Sequence, residues 1–242
     1  MTLPGWLREA LPDDTARTWE IIAPLVPAGA YLAGGTAIAV HIRHRVSRDL
    51  DFFYHGSVVD LNRVEQELER AGTFAVSRRA PGTLNGVFST TRLQFLHADE
   101  GGRQHLLETP EKVEGIAVAG LSDLMAMKLN VIVQRGELRD YFDLMAIEQH
   151  AGPTAEEGIG LYLARYRPTD PDVQVSAIIL ALGYLVDIDE DEHLPVPKAE
   201  IERYWARRQP EVLRSAGWLS SGSKPPVPPM APVAFPGAGR GP

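Results

Sequence analysis

Between residues 31 and 54 the hydrophobic pattern changes period within a short span. Tyr31, Leu32 and Ala33 are a brief apolar run that predicts a strand, and Gly34-Gly35-Thr36 then interrupts it. Apolar residues return at Ala37, Ile38, Val40 and Ile42, the spacing of a helix opened by Thr36. From Asp49 to Phe53 the pattern alternates, which predicts a second strand with Asp49 and Asp51 on one face and Leu50 and Phe52 on the other.

Elsewhere the same rules predict mostly scaffold. Residues 3 to 25 read as one or two helices packed through Trp6, Leu7, Trp19, Ile21, Ile22 and Leu25. Asp60 is placed to cap a helix that reaches Arg70 and stops at Gly72. Strands are expected over 74 to 78 and 87 to 96, joined by the turn-rich PGTLNG; in the second, alternation sets Arg92, Gln94 and Leu96 opposite Leu93 and Phe95. Residues 121 to 135 predict a helix capped by Ser122, with Leu121, Leu124, Met125, Leu129 and Ile132 as its buried stripe. Past Gly136 another helix begins, and from 156 to 217 the chain reads as helical, with an all-round apolar core helix over 173 to 185. The tail KPPVPPMAPVAFPGAGRGP cannot bury a core and is expected to be disordered.

Composition narrows the setting. The 242 residues are 44% hydrophobic and 23% charged, ordinary values for a globular protein. With no cysteine, disulfides, zinc thiolates and thiol nucleophiles are excluded. No apolar run approaches the ~20 residues of a membrane span and the N-terminus lacks a basic-then-apolar leader, so a cytoplasmic location is expected. A net charge of -8 argues against holding nucleic acid by bulk attraction. Local sign differs, because His41, Arg43, His44, Arg45 and Arg48 crowd in just before the two aspartates. They either meet an anionic ligand or answer a helix dipole.

The candidate chemistry follows from spacing. Two residues without Cβ let the chain lie against a bulky anion, and the first-turn N–H groups of the next helix would point at it. Asp49 and Asp51, roughly 6 to 7 Å apart along a strand, suit Mg²⁺, which prefers oxygen ligands and keeps positions for substrate phosphates. Thirteen positions separate Thr36 from Asp49. That gap fits a helix of about ten residues, ~15 Å long, and a return, so both motifs can face one cleft.

Lys128 falls on the apolar stripe of its helix and must lay its stem against the core; it either snorkels at the stripe's edge or reaches an anion. Asp140 and Asp143 share a helix face among apolar neighbours and need a cationic partner, with Lys128, Arg135 and Arg139 as candidates. They form a structural ion pair, or they orient the lysine or a substrate hydroxyl. Between Asp187 and Glu192 five of six residues are acidic, and a proline-flanked run of this kind is read as solvated.

The run Gly34-Gly35-Thr36, a short helix ending in a His- and Arg-rich segment and then Asp49-Leu50-Asp51-Phe52-Phe53 resembles the AbiEii/AbiGii toxin family. Lys128 resembles its second motif and Arg139-Asp140-Tyr141-Phe142-Asp143-Leu144 its third; the likeness extends over about residues 28 to 210. It implies an α+β fold, a polymerase-β-like nucleotidyltransferase core with a mixed sheet over 1 to 119, followed by a helical region over 120 to 217 that completes the site and a tail over 218 to 242. It further implies transfer of a nucleoside monophosphate from an NTP to an acceptor hydroxyl with Mg²⁺ on Asp49 and Asp51. Gly34, Gly35, Thr36, Arg48, Lys128 and Asp140 would hold the nucleotide, and Asp49, Asp51, Lys128 and Asp143 would be catalytic.

Relatives of the MenT type imply a tRNA 3′ end as acceptor, toxicity, and a separately encoded antitoxin as partner. One departure concerns the strand after the acidic pair, where a third catalytic acid is usual: no carboxylate sits mid-strand, and Asp99 lies only at its exit. Two other readings stay open, an enzyme with a small-molecule acceptor and a nucleotide-binding module without turnover.

Overall fold

A computed structural model describes residues 2–56, 59–98, 104–150 and 152–216. The predicted disorder of the tail and the position of Asp99 lie outside the described residues. Two short helices, α1 (Gly5–Ala10) and α2 (Asp13–Ile22), each begin after a proline. Then come β1 (Ala30–Ala33), α3 (Gly34–Ile42) and β2 (Leu50–Tyr54). The helix opens at Gly34, two residues before Thr36, because Gly34 takes φ +69 and turns the chain directly out of the strand.

Helix α4 (Leu61–Ala71) is capped by Asp60, whose side chain accepts from the N–H groups of Asn62 and Arg63. The following region departs from expectation. Where one long strand was predicted, β4 (Thr83–Phe88) and β5 (Thr91–His97) are separated by a reversal at Ser89, which takes φ 55; most of PGTLNG is strand, not turn. With β3 (Phe74–Ala80) they form an antiparallel meander. The short pair β6 (Glu111–Val113) and β7 (Ile116–Val118) closes the other edge.

The seven strands run in the order β3-β4-β5-β2-β1-β7-β6. β2 pairs antiparallel with β1 and parallel with β5, and β1 pairs parallel with β7, so the sheet is mixed. One face presents Leu50, Phe52, Leu84, Phe88, Leu93 and Phe95, all buried, toward the side of α2 and α4. Opposite lie Asp51, Phe53, Gln94 and Leu96, under α5 (Leu121–Gln134). Burial alternates along β2 and β5 as the side-chain period requires.

Helix α5 is capped by Gly120, without a side-chain hydrogen bond; Ser122 falls inside its first turn and does not cap it. It packs on α6 (Leu138–Gln149), α7 (Ala155–Tyr166) and α8 (Pro171–Gly183), and α8 packs on α9 (Lys198–Ala216). Helix α8 is not enclosed all round. Val175, Ile178, Ile179 and Leu182 are buried, while Val173 and Leu180 are 63% and 70% exposed, because its partners lie on one side. Among the described residues no helix is long and apolar enough to cross a membrane.

Candidate active site

The turn between β1 and α3 brings Gly34 against Asp51. In the antiparallel ladder Ala33 faces Asp51, so the strand's end and the acid share a rung. A Cβ on Gly34 would lie 2.6 Å from Asp51 Oδ2, closer than atoms can approach. The first turn of α3 has no side-chain cap, so its N–H groups remain for a ligand. Thr36 is buried and its hydroxyl faces inward, hydrogen-bonded to Ser47 Oγ (2.8 Å) and to the backbone oxygen of Asp49. Its part is therefore to fix the segment that carries Asp49, with only its backbone left for an anion.

Asp49 precedes β2 and Asp51 lies within it; both line a cleft of about 420 Å³ with Gly34, Gly35, Arg48 and Lys128. Burial and the nearby charge of Asp49 push the Asp51 carboxyl up to about 6, against the pull of Lys128, Arg139 and Arg135. Two acids in one cleft that resist sharing their negative charge form a site short of a cation. Among the described residues no third His, Cys, Asp or Glu completes a ligand cluster. The donor set is all oxygen and incomplete, which fits Mg²⁺ held by one or two carboxylates, water and substrate phosphate.

Behind the cleft Lys128 joins two helices. Its Nζ lies 2.7 Å from Asp140 Oδ1 and 2.7 Å from Asp143 Oδ2. The ammonium donates a hydrogen bond to Asp140 and forms an ion pair with Asp143. Asp140 also accepts from the Glu137 backbone N–H (3.0 Å), capping α6. Asp143 is fully buried and accepts from three donor groups, His44 Nε2 (2.7 Å) and Arg45 Nε (2.7 Å) and Nη2 (3.0 Å), beside its ion pair with Lys128.

Burial would raise the Asp143 carboxyl, but Lys128, Arg45 and the His44 hydrogen bond hold it well below the usual range. Burial likewise lowers Lys128, yet Asp143 and Asp140 outweigh it and the ammonium is held above its ordinary value. Asp143, expected among the catalytic residues, is wholly buried and is not among the residues that line the cleft; its contacts are with Lys128, Arg45 and His44.

The basic run before Asp49 is thus divided. Arg45 and Arg48 line the cleft, Arg43 lies over the Trp6 ring (5.7 Å), and His41 bonds the Ala119 carbonyl (2.7 Å). Arg135 and Arg139 pair with Glu137, not with the helix α6 acids. Several cleft features escaped the sequence reading. Phe53, Leu96, Leu124, Met127 and Val131 form an apolar wall beyond the acids, and Asp191 and His193 of the acidic segment reach the mouth. Gln94 stands opposite Asp51 in the β2–β5 ladder, at the rung where a third acid would be sought. Away from the cleft, Arg165 and Asp123 form a wholly buried ion pair, with Arg165 Nη2 2.9 Å from Tyr31 Oη.

A mixed sheet with this glycine corner, acidic pair and buried lysine defines a protein of the nucleotidyltransferase class. Residues 24–216 match the family described as Nucleotidyl transferase AbiEii toxin, Type IV TA system, and the chain belongs to that family. It is 29% identical over 190 residues to the Aquifex aeolicus (strain VF5) protein aq_aa25, covering 76% of this chain and 88% of that one. Among solved structures, a candidate nucleotidyltransferase from Helicobacter pylori shares the fold with TM-score 0.50 and 18% identity, over 86% of this chain and 98% of that one. MenT4, a nucleotidyltransferase toxin of Mycobacterium tuberculosis H37Rv, is similar with TM-score 0.42 and 16% identity, over 89% of this chain and 95% of that one.

Proposed function

We propose that this toxin-family nucleotidyltransferase moves a nucleoside monophosphate from an NTP onto the 3′-terminal hydroxyl of a tRNA, in the cytoplasm, and that a cognate antitoxin restrains it. The observation that carries this reading is the convergence of Gly34, Asp51 and Lys128 on one cleft. The triphosphate lies over the glycine corner, where the uncapped N–H groups of α3 and the Lys128 ammonium meet its oxygens. Arg48 stands beside it. The acceptor hydroxyl oxygen attacks the α-phosphorus and gives up its proton to water, the bond to the bridging oxygen breaks, and pyrophosphate leaves with that electron pair.

Asp49 and Asp51 would hold Mg²⁺, which when bound offsets phosphate charge and aligns the attacking oxygen. Asp143 and Asp140 keep Lys128 ionised and pointed, so that little reorganisation accompanies the reaction. The apolar wall from Phe53 to Val131 accepts the flat nucleobase.

A second reading, a nucleotide-binding module without turnover, is favoured by the neutral Gln94 at the rung facing Asp51. Wild type and Asp51→Ala, incubated with each labelled NTP and total tRNA or aminoglycosides, separate the cases. Label on tRNA from wild type alone is expected. Equal behaviour of the two proteins overturns the assignment, and binding without pyrophosphate release establishes the second reading.

A further inference from the structure

The catalytic face of the sheet does not end at Asp51. Cross-strand partners point to the same side, so the ladders define a row that can be followed outward. Asp51 of β2 faces Gln94 of β5, Gln94 faces Asn85 of β4, and Asn85 faces Arg78 of β3. Every member is polar. Gln94 lines the cleft, Asn85 is half-buried with an enclosed Oδ1 that accepts no hydrogen bond, and Arg78 is exposed. A buried acceptor left without a donor is a cost that the fold alone does not explain.

A bulge aims Arg78 onto this row. The β3–β4 register shifts between Val76 and Arg78, so that Val76 and Arg78, which would otherwise share a face, point to opposite ones. The neighbouring Arg79 then turns to the other side, where it pairs with Glu65 of α4. The helix that packs on β3 and β4 is α4, and it lies on that opposite face. Arg92, on the cleft side of β5, and Arg78 have no ion-pair partner among the described residues. Two guanidinium groups without an ion-pair partner among the described residues stand along a polar strip leading to Asp51, on a chain whose net charge is -8.

We infer that this strip, Gln94–Asn85–Arg78 with Arg92 beside it, is the track on which the single-stranded 3′ end of the RNA acceptor lies. The inference rests on the nucleotidyltransferase reading above and adds where the acceptor runs. Three strand spacings of ~4.8 Å put Arg78 about 14 Å from Asp51. At ~3.4 Å per stacked nucleotide, Arg78 meets a phosphate roughly four nucleotides back from the reacting hydroxyl. The side-chain amide of Gln94 and the amide nitrogen of Asn85 contact the ribose and phosphate between.

The test compares wild type, Arg78→Glu and Asn85→Ala, using a dinucleotide and an octanucleotide of single-stranded RNA as acceptors and labelled NTP as donor. Expected is a KM for the octanucleotide raised about tenfold in Arg78→Glu, with a shallower salt dependence. The KM for NTP and the rate with the dinucleotide are unchanged. Asn85→Ala raises the octanucleotide KM less and leaves the salt dependence alone. Since Arg78 is exposed, the melting temperature of Arg78→Glu stays at the wild-type value; if it falls, Arg78→Gln takes its place with a smaller expected effect in the same direction. If wild type labels RNA and Arg78→Glu handles the octanucleotide equally well, the track is rejected and the RNA reading stands. If wild type labels neither RNA, the acceptor reading itself fails and the track with it.

Discussion

Gly34 lies against the Asp51 carboxylate so closely that a methyl group in its place would stand 2.6 Å from Oδ2. Its φ of +69 adds a second restriction, since an L-residue there costs about 1 kcal/mol or more. Gly34→Ala therefore displaces the acid and strains the turn together. The expected outcome is a fall of several degrees in melting temperature, about 4–8 °C per kcal/mol in a small domain and less in a larger one. Label incorporation should drop by about a hundredfold or more, because a misplacement near 1 Å is enough for that. A variant with normal turnover would show that Asp51 need not occupy this corner.

Asp143 is the anchor of a buried charge cluster, and its removal is predicted to be a stability defect before it is a catalytic one. Asp143→Ala leaves Lys128 and Arg45 with too little negative charge, at a cost of about 3–5 kcal/mol. The sign with pH follows from the shifts. The carboxyl is held far down, so its contribution is present above its unfolded value near 4 and is lost as pH falls through the depressed one. Lys128 is held up, so its contribution is present below about pH 10 and is lost above. Urea unfolding should show a constant gap between wild type and Asp143→Ala from about pH 5 to 9, narrowing outside it. In the folded fraction, the neutral-range pH profile of kcat/KM should keep its shape.

The acidic pair makes the opposite prediction. Burial beside Asp49 pushes Asp51 up to about 6, so in EDTA the ionised carboxylate opposes folding above that pH by up to about 3 kcal/mol and ceases to do so below about pH 4. Asp51→Asn should therefore melt higher than wild type in EDTA at pH 7, and the two should converge as pH falls towards 4. Millimolar Mg²⁺ should raise the wild type and leave the variant nearly unmoved. Identical melting curves with and without Mg²⁺ for wild type would remove the metal from this site.

Arg165 and Asp123 provide a test outside the cleft. Arg165 comes from α7, Asp123 from the first turn of α5, and both are fully buried beside Tyr31 of β1. The pair ties the helical layer to the sheet. Arg165→Met alone should cost about 3–5 kcal/mol, because it strands a buried carboxylate; adding Asp123→Leu should recover most of that. Urea unfolding of the double-mutant cycle measures the coupling. NTP affinity of the folded proteins should be equal throughout.

Legibility in the sequence tracked the range of the interactions. The turn, helix and strand around Gly34 and Asp51 were readable because period and glycine placement are local signals, and the alternation along β5 grouped Arg92, Gln94 and Leu96 on one face; that this face lines the cleft came only from the fold. Two acids on one helix face called for a cationic partner, with Lys128 one of three candidates, and the fold supplies Lys128. The identity of the remaining partners did not follow. Arg45 and His44 are about a hundred residues from Asp143, and only the fold brings them there. Ser89 was hidden because a tight reversal at a non-glycine residue leaves the alternation on either side intact. The exposed side of α8 was unreadable for a related reason: apolar composition states what could be buried, and the number of neighbours decides what is.

Gln94 offers the last test, because register alone sets its distance from Asp51. Parallel neighbours in a sheet lie ~4.8 Å apart, so a carboxylate at Gln94 would share the reach of one cation with Asp51. Gln94→Glu keeps the length of the side chain and adds a charge. In metal-free protein that charge joins two acids already in mutual repulsion, and the melting temperature in EDTA should fall. With cation present the same charge becomes a ligand, and calorimetric affinity for Mn²⁺ should rise about tenfold, since site affinity follows the count of charged ligands. The two changes must appear together. A lower melting temperature without tighter Mn²⁺ binding would mean that Gln94 points past the site, and the rung opposite Asp51 would then be a place for acceptor contacts alone.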